Sequence, residues 1–419
     1  MYLYVFKNAN KNKEILLSNP LYKRKDMLRL RKDSDIIVLL GDFMLSIKSR
    51  KEIKLWILSL LLFIATFLRY IFNQFTEVKD VFHHLMFLFY IMVFLLGYMF
   101  FRSERRDLKF SQFHHIFFFL AIVFLSFISL IIFPNAEYNH MFTQYLDVLM
   151  WLSITFWGFV SIPNNLLNRV IQKYYFIAFV TGTVFLISTA SHRLGRNEIF
   201  NENTIGLFLA PFLIYLCITM KNHFLRVIVY LLGGIYLFYS NAMASFVGFV
   251  LFPIFAFLLL RFKKSRMVYS LYIFVGLLVT LVIITLNSHF LTEILSNRNL
   301  LWKIYFKNII SSWQTFLFGT GNWYADIADP LLKGLHAHHA FLNIVHFTGI
   351  FALIFYLCLI IFSTRKQIKH ITVSDGILFF IVTFQFAESS VPLFNFMFPS
   401  MIFYWNLFLN KQSEDFLKS

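Results

Sequence analysis

The feature that most constrains this chain is a series of apolar runs separated by short polar breaks. The hydrocarbon core of a bilayer is about 30 Å thick and a helix rises about 1.5 Å per residue, so roughly 20 apolar residues make a crossing. Twelve such stretches are read, at approximately 55–72, 81–101, 113–133, 145–162, 171–190, 204–219, 224–240, 243–260, 267–286, 340–362, 376–388 and 396–409. The last two are interrupted by Glu388-Ser389-Ser390 and Pro392. Amides cannot stay unpaired in lipid, and these runs are too long and too uniformly apolar for barrel strands. The expected fold class is all-α: a polytopic integral membrane protein with about 12 transmembrane helices and a long extracytoplasmic loop before the tenth. The chain then divides into a basic cytoplasmic segment 1–54, nine helices over 55–286, the loop 287–339, three helices over 340–409 and a cytoplasmic tail 410–419.

Composition agrees. Hydrophobic residues make up 59% and charged residues 14%, with a mean hydropathy of +0.68, which excludes a soluble globular enzyme. The two cysteines, Cys217 and Cys358, lie inside apolar runs, so neither a disulfide framework nor a cysteine-based zinc or iron–sulfur centre is available. A net charge of +17 would suit nucleic acid, but the basic residues fall between the apolar runs. Lys and Arg are retained on the cytoplasmic side of a membrane. With the N-terminal segment inside, thirty of the 38 Lys and Arg residues fall in that segment, in every second loop, and in the tail. The inside rule therefore accounts for the charge, and no nucleic-acid partner is expected. The expected topology is multi-pass, with both termini cytoplasmic. No signal peptide is expected ahead of the first apolar run, which follows a long basic segment.

The exceptions to the charge rule carry the functional signal. Eight basic residues fall at or beyond the outer surface, among them Arg193, Arg196 and Arg298. Guanidinium is a forked donor suited to phosphate and stays charged at any relevant pH. The rival reading of an outer arginine is a headgroup anchor. The long outer loop holds Arg298 at the start of a segment whose apolar residues Leu301, Ile304, Tyr305 and Ile309 share one helical face. Trp302 and Lys303 on its flanks predict a helix lying in the membrane interface. A Phe318-Gly319-Thr320-Gly321 turn follows, then His336-Ala337-His338-His339 directly before the tenth run. Histidine titrates near neutral pH and can take a proton from a hydroxyl nucleophile. No carboxylate or cysteine stands at metal-ligand spacing beside these histidines, which argues against a metal centre. Asp147 and Glu388, at outer ends of their runs, read either as acid–base groups or as solvated ends. Gly233-Gly234 reads as a site of close helix packing.

In this order the residues resemble the bacterial O-antigen ligase and polymerase superfamily, whose polymerase branch is called Wzy-type. The similarity runs from Arg298 to about Phe351: an arginine, an aromatic-rich helix, a Phe-Gly-Thr-Gly turn, a His-x-His element, and Gly349 after it. A shorter likeness covers Arg193 to Gly206, where the family tends to have Asn-Pro-Asn and this chain reads Asn201-Glu202-Asn203. Glu388-Ser389-Ser390 with the final run is similar to the family's ending.

The resemblance implies a metal-independent membrane glycosyltransferase, without cofactor, acting on an undecaprenyl-pyrophosphate-linked saccharide at the outer face of the cytoplasmic membrane. It further implies membrane lipids, a flippase and a chain-length regulator as partners, and a polysaccharide such as O-antigen (of lipopolysaccharide) or capsule as product. On this reading His338 is the favoured base, because it matches the family's His-Asn pair, with His336 and His339 as alternatives since His339 stands where the family has Asn. Arg298 with Arg193 or Arg196 would bind the pyrophosphate. Within the family the rival is a ligase that transfers the glycan to a terminal acceptor. From another class the rival is a flippase or secondary transporter, although no internal repeat and no charge near the midplane is found.

Overall fold

A chain that must pair its own amides within each apolar run has one local solution, and the computed structural model adopts it in the described residues. The structure describes residues 114–133, 164–188, 202–286, 297–322, 324–327, 337–364 and 368–388, together with scattered single residues. Every regular element among the described residues is α-helical. In chain order these are α1 (His114–Ile132), α2 (Asn164–Ser188), α3 (Glu202–Thr219), α4 (His223–Tyr239), α5 (Met243–Phe262) and α6 (Ser265–Thr285). After the long loop's own helices, α7 (Arg298–Ile309) and α8 (Trp313–Phe318), come α9 (Ala340–Thr348), α10 (Ile350–Ser363) and α11 (Val373–Phe384). The segment 1–54, the fourth and twelfth runs and the tail lie outside the described residues, apart from Ile53 and Lys54.

Two helices, α5 and α6, are long and apolar enough to cross a bilayer. Their outward faces, and that of α4, are apolar too. On α6 the exposed side chains include Leu271, Phe274, Val275, Leu278 and Val282; on α4 they include Phe224, Val227, Leu231, Ile235 and Phe238. Both sets recur at helical spacing, so each forms a stripe turned away from the rest of the protein. A helix of a water-soluble protein turns such a stripe inward; here it faces out, as in lipid.

Among the described elements α11 is enclosed, buried from Asp375 to Phe384. Phe379 stacks on Phe255 of α5 with ring centroids 4.0 Å apart and leans on Tyr272 of α6 at 5.1 Å. A side chain at Gly233 would touch Leu213 and Phe249 at 3.2–3.3 Å, whereas Gly234 faces open space, so the glycine pair packs closely at one position only.

The tenth run departs from expectation. Instead of one helix over 340–362, the chain breaks at Gly349, whose φ of 86° only glycine adopts without strain. The break leaves α9 carbonyls without helical partners, and such groups must be satisfied within the protein. The Phe-Gly-Thr-Gly turn does this. Thr320 N–H donates to His346 O at 2.6 Å and Gly321 N–H to Phe347 O at 3.1 Å, while Ser129 of α1 donates its hydroxyl to Phe347 O. Gly319 and Gly349 let the two backbones meet: a side chain on Gly319 would strike Phe347, and one on Gly349 would strike Leu317. The long loop is thereby anchored to the helix break.

The ends gather as the charge rule groups them. On the side it assigns to the cytoplasm, Ile368 N–H donates to Lys263 O at 3.2 Å and the Arg266 guanidinium lies over the Phe362 ring. On the other, Ala340 N–H donates to Gln385 O at 2.8 Å.

Candidate functional site

The helix expected after Arg298 is present as α7, but its environment differs from the sequence expectation. Leu301, Trp302, Tyr305 and Ile309 are buried, and Trp302 sits in a core with Ile284, Ala325 and Ala337 rather than on the helix flank. The reason is hydrogen bonding. The Trp302 indole N–H donates to Ala337 O at 2.7 Å, and the Tyr305 hydroxyl donates to Leu335 O at 3.0 Å while accepting from Ala325 N–H at 3.2 Å. Burial pushes the Tyr305 phenol up, so it stays a donor. Asn343 of α9 accepts from Ala337 N–H at 3.3 Å. The histidine element is thus strapped across α7 by two aromatic side chains and pinned to α9 by an amide.

This strap delivers His338 to Arg298 and Glu388. Arg298 opens α7, and the residue before it, Asn297, adopts the left-handed conformation that asparagine tolerates. A cation at a helix N-terminus is electrostatically disfavoured, so it needs an anionic partner. Glu388 supplies one. Its side chain is only 5% exposed, and it receives the Arg298 guanidinium at 2.9 Å on Oε1 and the His338 imidazole Nδ1 at 3.0 Å on Oε2. Arg298 also donates to the Ala387 carbonyl. His338 itself has φ 47°, a left-handed conformation that costs a residue with a side chain roughly 1–2 kcal/mol. Such backbone strain is retained where surrounding contacts fix it, often at functional sites. The Arg298 and His338 side chains keep about a quarter of their surface exposed, 25% and 22%, so the carboxylate is the enclosed member of the three.

His339, adjacent in sequence, is in a different situation. It is fully buried and caps α9: its Nδ1 accepts the Leu342 N–H at 3.3 Å, and its Nε2–H donates to the Thr280 hydroxyl at 3.0 Å. Desolvation pushes its pKa down to about 3, so it is neutral. Both nitrogens are engaged and no surface is exposed, which makes His339 a structural cap rather than a candidate base. His336, Arg193 and Arg196 lie outside the described residues.

The structure therefore brings Arg298 and His338 together, separates His339 from them, and adds Glu388. From sequence, Glu388 is ambiguous between a reactive group and a solvated helix end. The signal for it is its place in a polar Glu-Ser-Ser patch between apolar runs. Among the described residues no group of His, Cys, Asp and Glu is arranged to hold a metal ion. No protein-family model, curated protein or solved structure matches the chain.

Proposed function

We propose that the chain is a membrane glycosyltransferase that polymerises undecaprenyl-pyrophosphate-linked oligosaccharide repeat units at the outer face of the cytoplasmic membrane. The observation that carries this reading is the junction of a guanidinium and an imidazole on one buried carboxylate, at the end of the helices that the charge rule assigns to the outer side. Glycosyl transfer from a polyprenyl pyrophosphate needs two things of a protein. The leaving diphosphate gains charge as the glycosidic bond breaks, and fixed cations stabilise it. The attacking sugar hydroxyl has a pKa far above neutrality, and a base positioned on it speeds attack by roughly 10²- to 10⁴-fold. His338 is suited to the second task. Arg298, with two of its nitrogens held by Glu388 and Ala387, has a fixed orientation from which its other N–H groups meet the diphosphate. Arg193 or Arg196 completes the anion site in this proposal. Twelve membrane spans supply the frame and hold both reacting lipids at one depth.

The test is the surface glycan of cells in which His338→Ala or Arg298→Ala replaces the native chain. A polymerase predicts single repeats in place of a ladder. Lipid-linked polymer without attachment identifies a ligase instead, and absence of both repeat and polymer outside the cell identifies a flippase. A ladder unchanged from the parent in both variants overturns the assignment of the site.

A further inference from the structure

Glu388 has two oxygens and uses them differently: Oε1 accepts from Arg298 at 2.9 Å and Oε2 meets His338 Nδ1 at 3.0 Å. A carboxylate can only accept, so the ring must present a proton on Nδ1. Where Nδ1 carries the proton, the lone pair of a neutral imidazole is on Nε2. Thirteen histidines are present in the chain, and the neighbouring His339 has the opposite form, with Nε2–H donating to Thr280. Two adjacent imidazoles are thus set in opposite tautomers by their partners.

We infer that Glu388 is a positioning residue that fixes His338 in the Nδ1–H tautomer, with Nε2 as its basic atom, and that Arg298 is what makes a carboxylate obligatory there. The inference rests on reading His338 as the base. An amide at this position has one acceptor oxygen. Arg298 has only donors, so it takes that oxygen, and the amide NH₂ is turned toward His338 Nδ1. Nδ1 must then accept, the proton moves to Nε2, and the base is lost although the shape of the site is kept. Removing the carboxylate from an Asp–His pair by the same kind of change lowers a serine protease's turnover about 10⁴-fold through the wrong tautomer. Glu388 touches no reacting atom in this scheme; it acts through the ring.

The experiment is ¹⁵N spectroscopy of the detergent-solubilised full chain labelled at histidine, at about pH 8.5 where imidazole is neutral, with the His338 signals identified by their loss in His338→Asn. The parent should show a protonated Nδ1 and an unprotonated Nε2 at His338. Glu388→Gln should exchange the two and cut polymer formation by about 10²-fold or more, and Glu388→Asp should keep the parent tautomer. Exchange of the tautomer in Glu388→Gln, with the parent form kept in Glu388→Asp, is a result that a merely structural role for Glu388 does not give.

A parent spectrum with Nε2–H at His338 overturns the inference without recourse to any variant. So does an unchanged tautomer in folded Glu388→Gln. The spectra are independent of turnover: the expected tautomers in a protein that makes no polymer would refute the glycosyltransferase reading alone. A ladder that depends on His338 but a tautomer indifferent to Glu388 would refute only the positioning role.

Discussion

At the scale of single residues, neighbours in sequence have been given unlike tasks by burial. His338 is strained and partly exposed, and its Nδ1 is bonded to a carboxylate; His339 is enclosed, neutral and part of a helix cap. The depressed pKa of His339 has a sign that can be tested. Its folded value of about 3 lies below the ordinary value of 6.5, so the unfolded chain takes up the proton first. The stabilisation is complete above about pH 6.5 and is lost as the pH falls, by about 1.4 kcal/mol per unit. Melting in detergent should therefore fall steadily between about pH 6.5 and pH 4. His339→Asn keeps an acceptor for the Leu342 amide and should make that profile shallower. An acid limb equally steep in the variant would contradict the assignment of His339 as a neutral cap.

Sequence marks arginine because Lys and Arg beyond the membrane break a strong rule, and histidine because it titrates near neutral pH. Their division of labour was not legible. A His-His pair looks the same whether one ring is buried or not, and Glu388 gains meaning only when α11 brings it to the start of α7. Trp302 shows the same limit in reverse, since an amphipathic aromatic at a helix flank and one donating to a buried carbonyl have identical sequence patterns.

Among the elements, the helix break between α9 and α10 is the feature that positions the rest. Residues 340–362 read as one apolar run despite Asn343, His346 and Thr348, so a single glycine inside it gives no signal of a break. Its meaning lies in the partner: the Phe-Gly-Thr-Gly turn caps the orphaned carbonyls of α9, and so ties the loop that carries α7 to the helix that starts at the histidine element. The two glycine positions make a matched test. Gly349→Ala puts a methyl group against the Leu317 carbonyl at positive φ and should cost about 2–4 kcal/mol, seen as a lower melting midpoint and loss of folded yield. Gly234→Ala, in a helix and facing open space, should be neutral or stabilising by up to about 1 kcal/mol. Equal effects at both positions would show that the break is not an anchoring point.

At the scale of the whole molecule, the apolar runs and the distribution of lysine and arginine lead to a helical membrane protein, and the structure supplies two helices long and apolar enough to cross a bilayer, with outward apolar faces. The loops joined at Lys263 and Ile368 belong to one side by the charge rule; Arg298, His338 and Glu388 belong to the other. The proposed function requires the cluster to lie on the second of these sides, facing away from the cytoplasm. Labelling of single cysteines tests this most directly. With Cys217 and Cys358 replaced by alanine, Ser311→Cys in the exposed part of the long loop should react with an impermeant maleimide on intact spheroplasts, while Lys264→Cys should react only after lysis. Reaction at Lys264→Cys on intact spheroplasts, with Ser311→Cys protected until lysis, would place the cluster inside the cell and contradict the account.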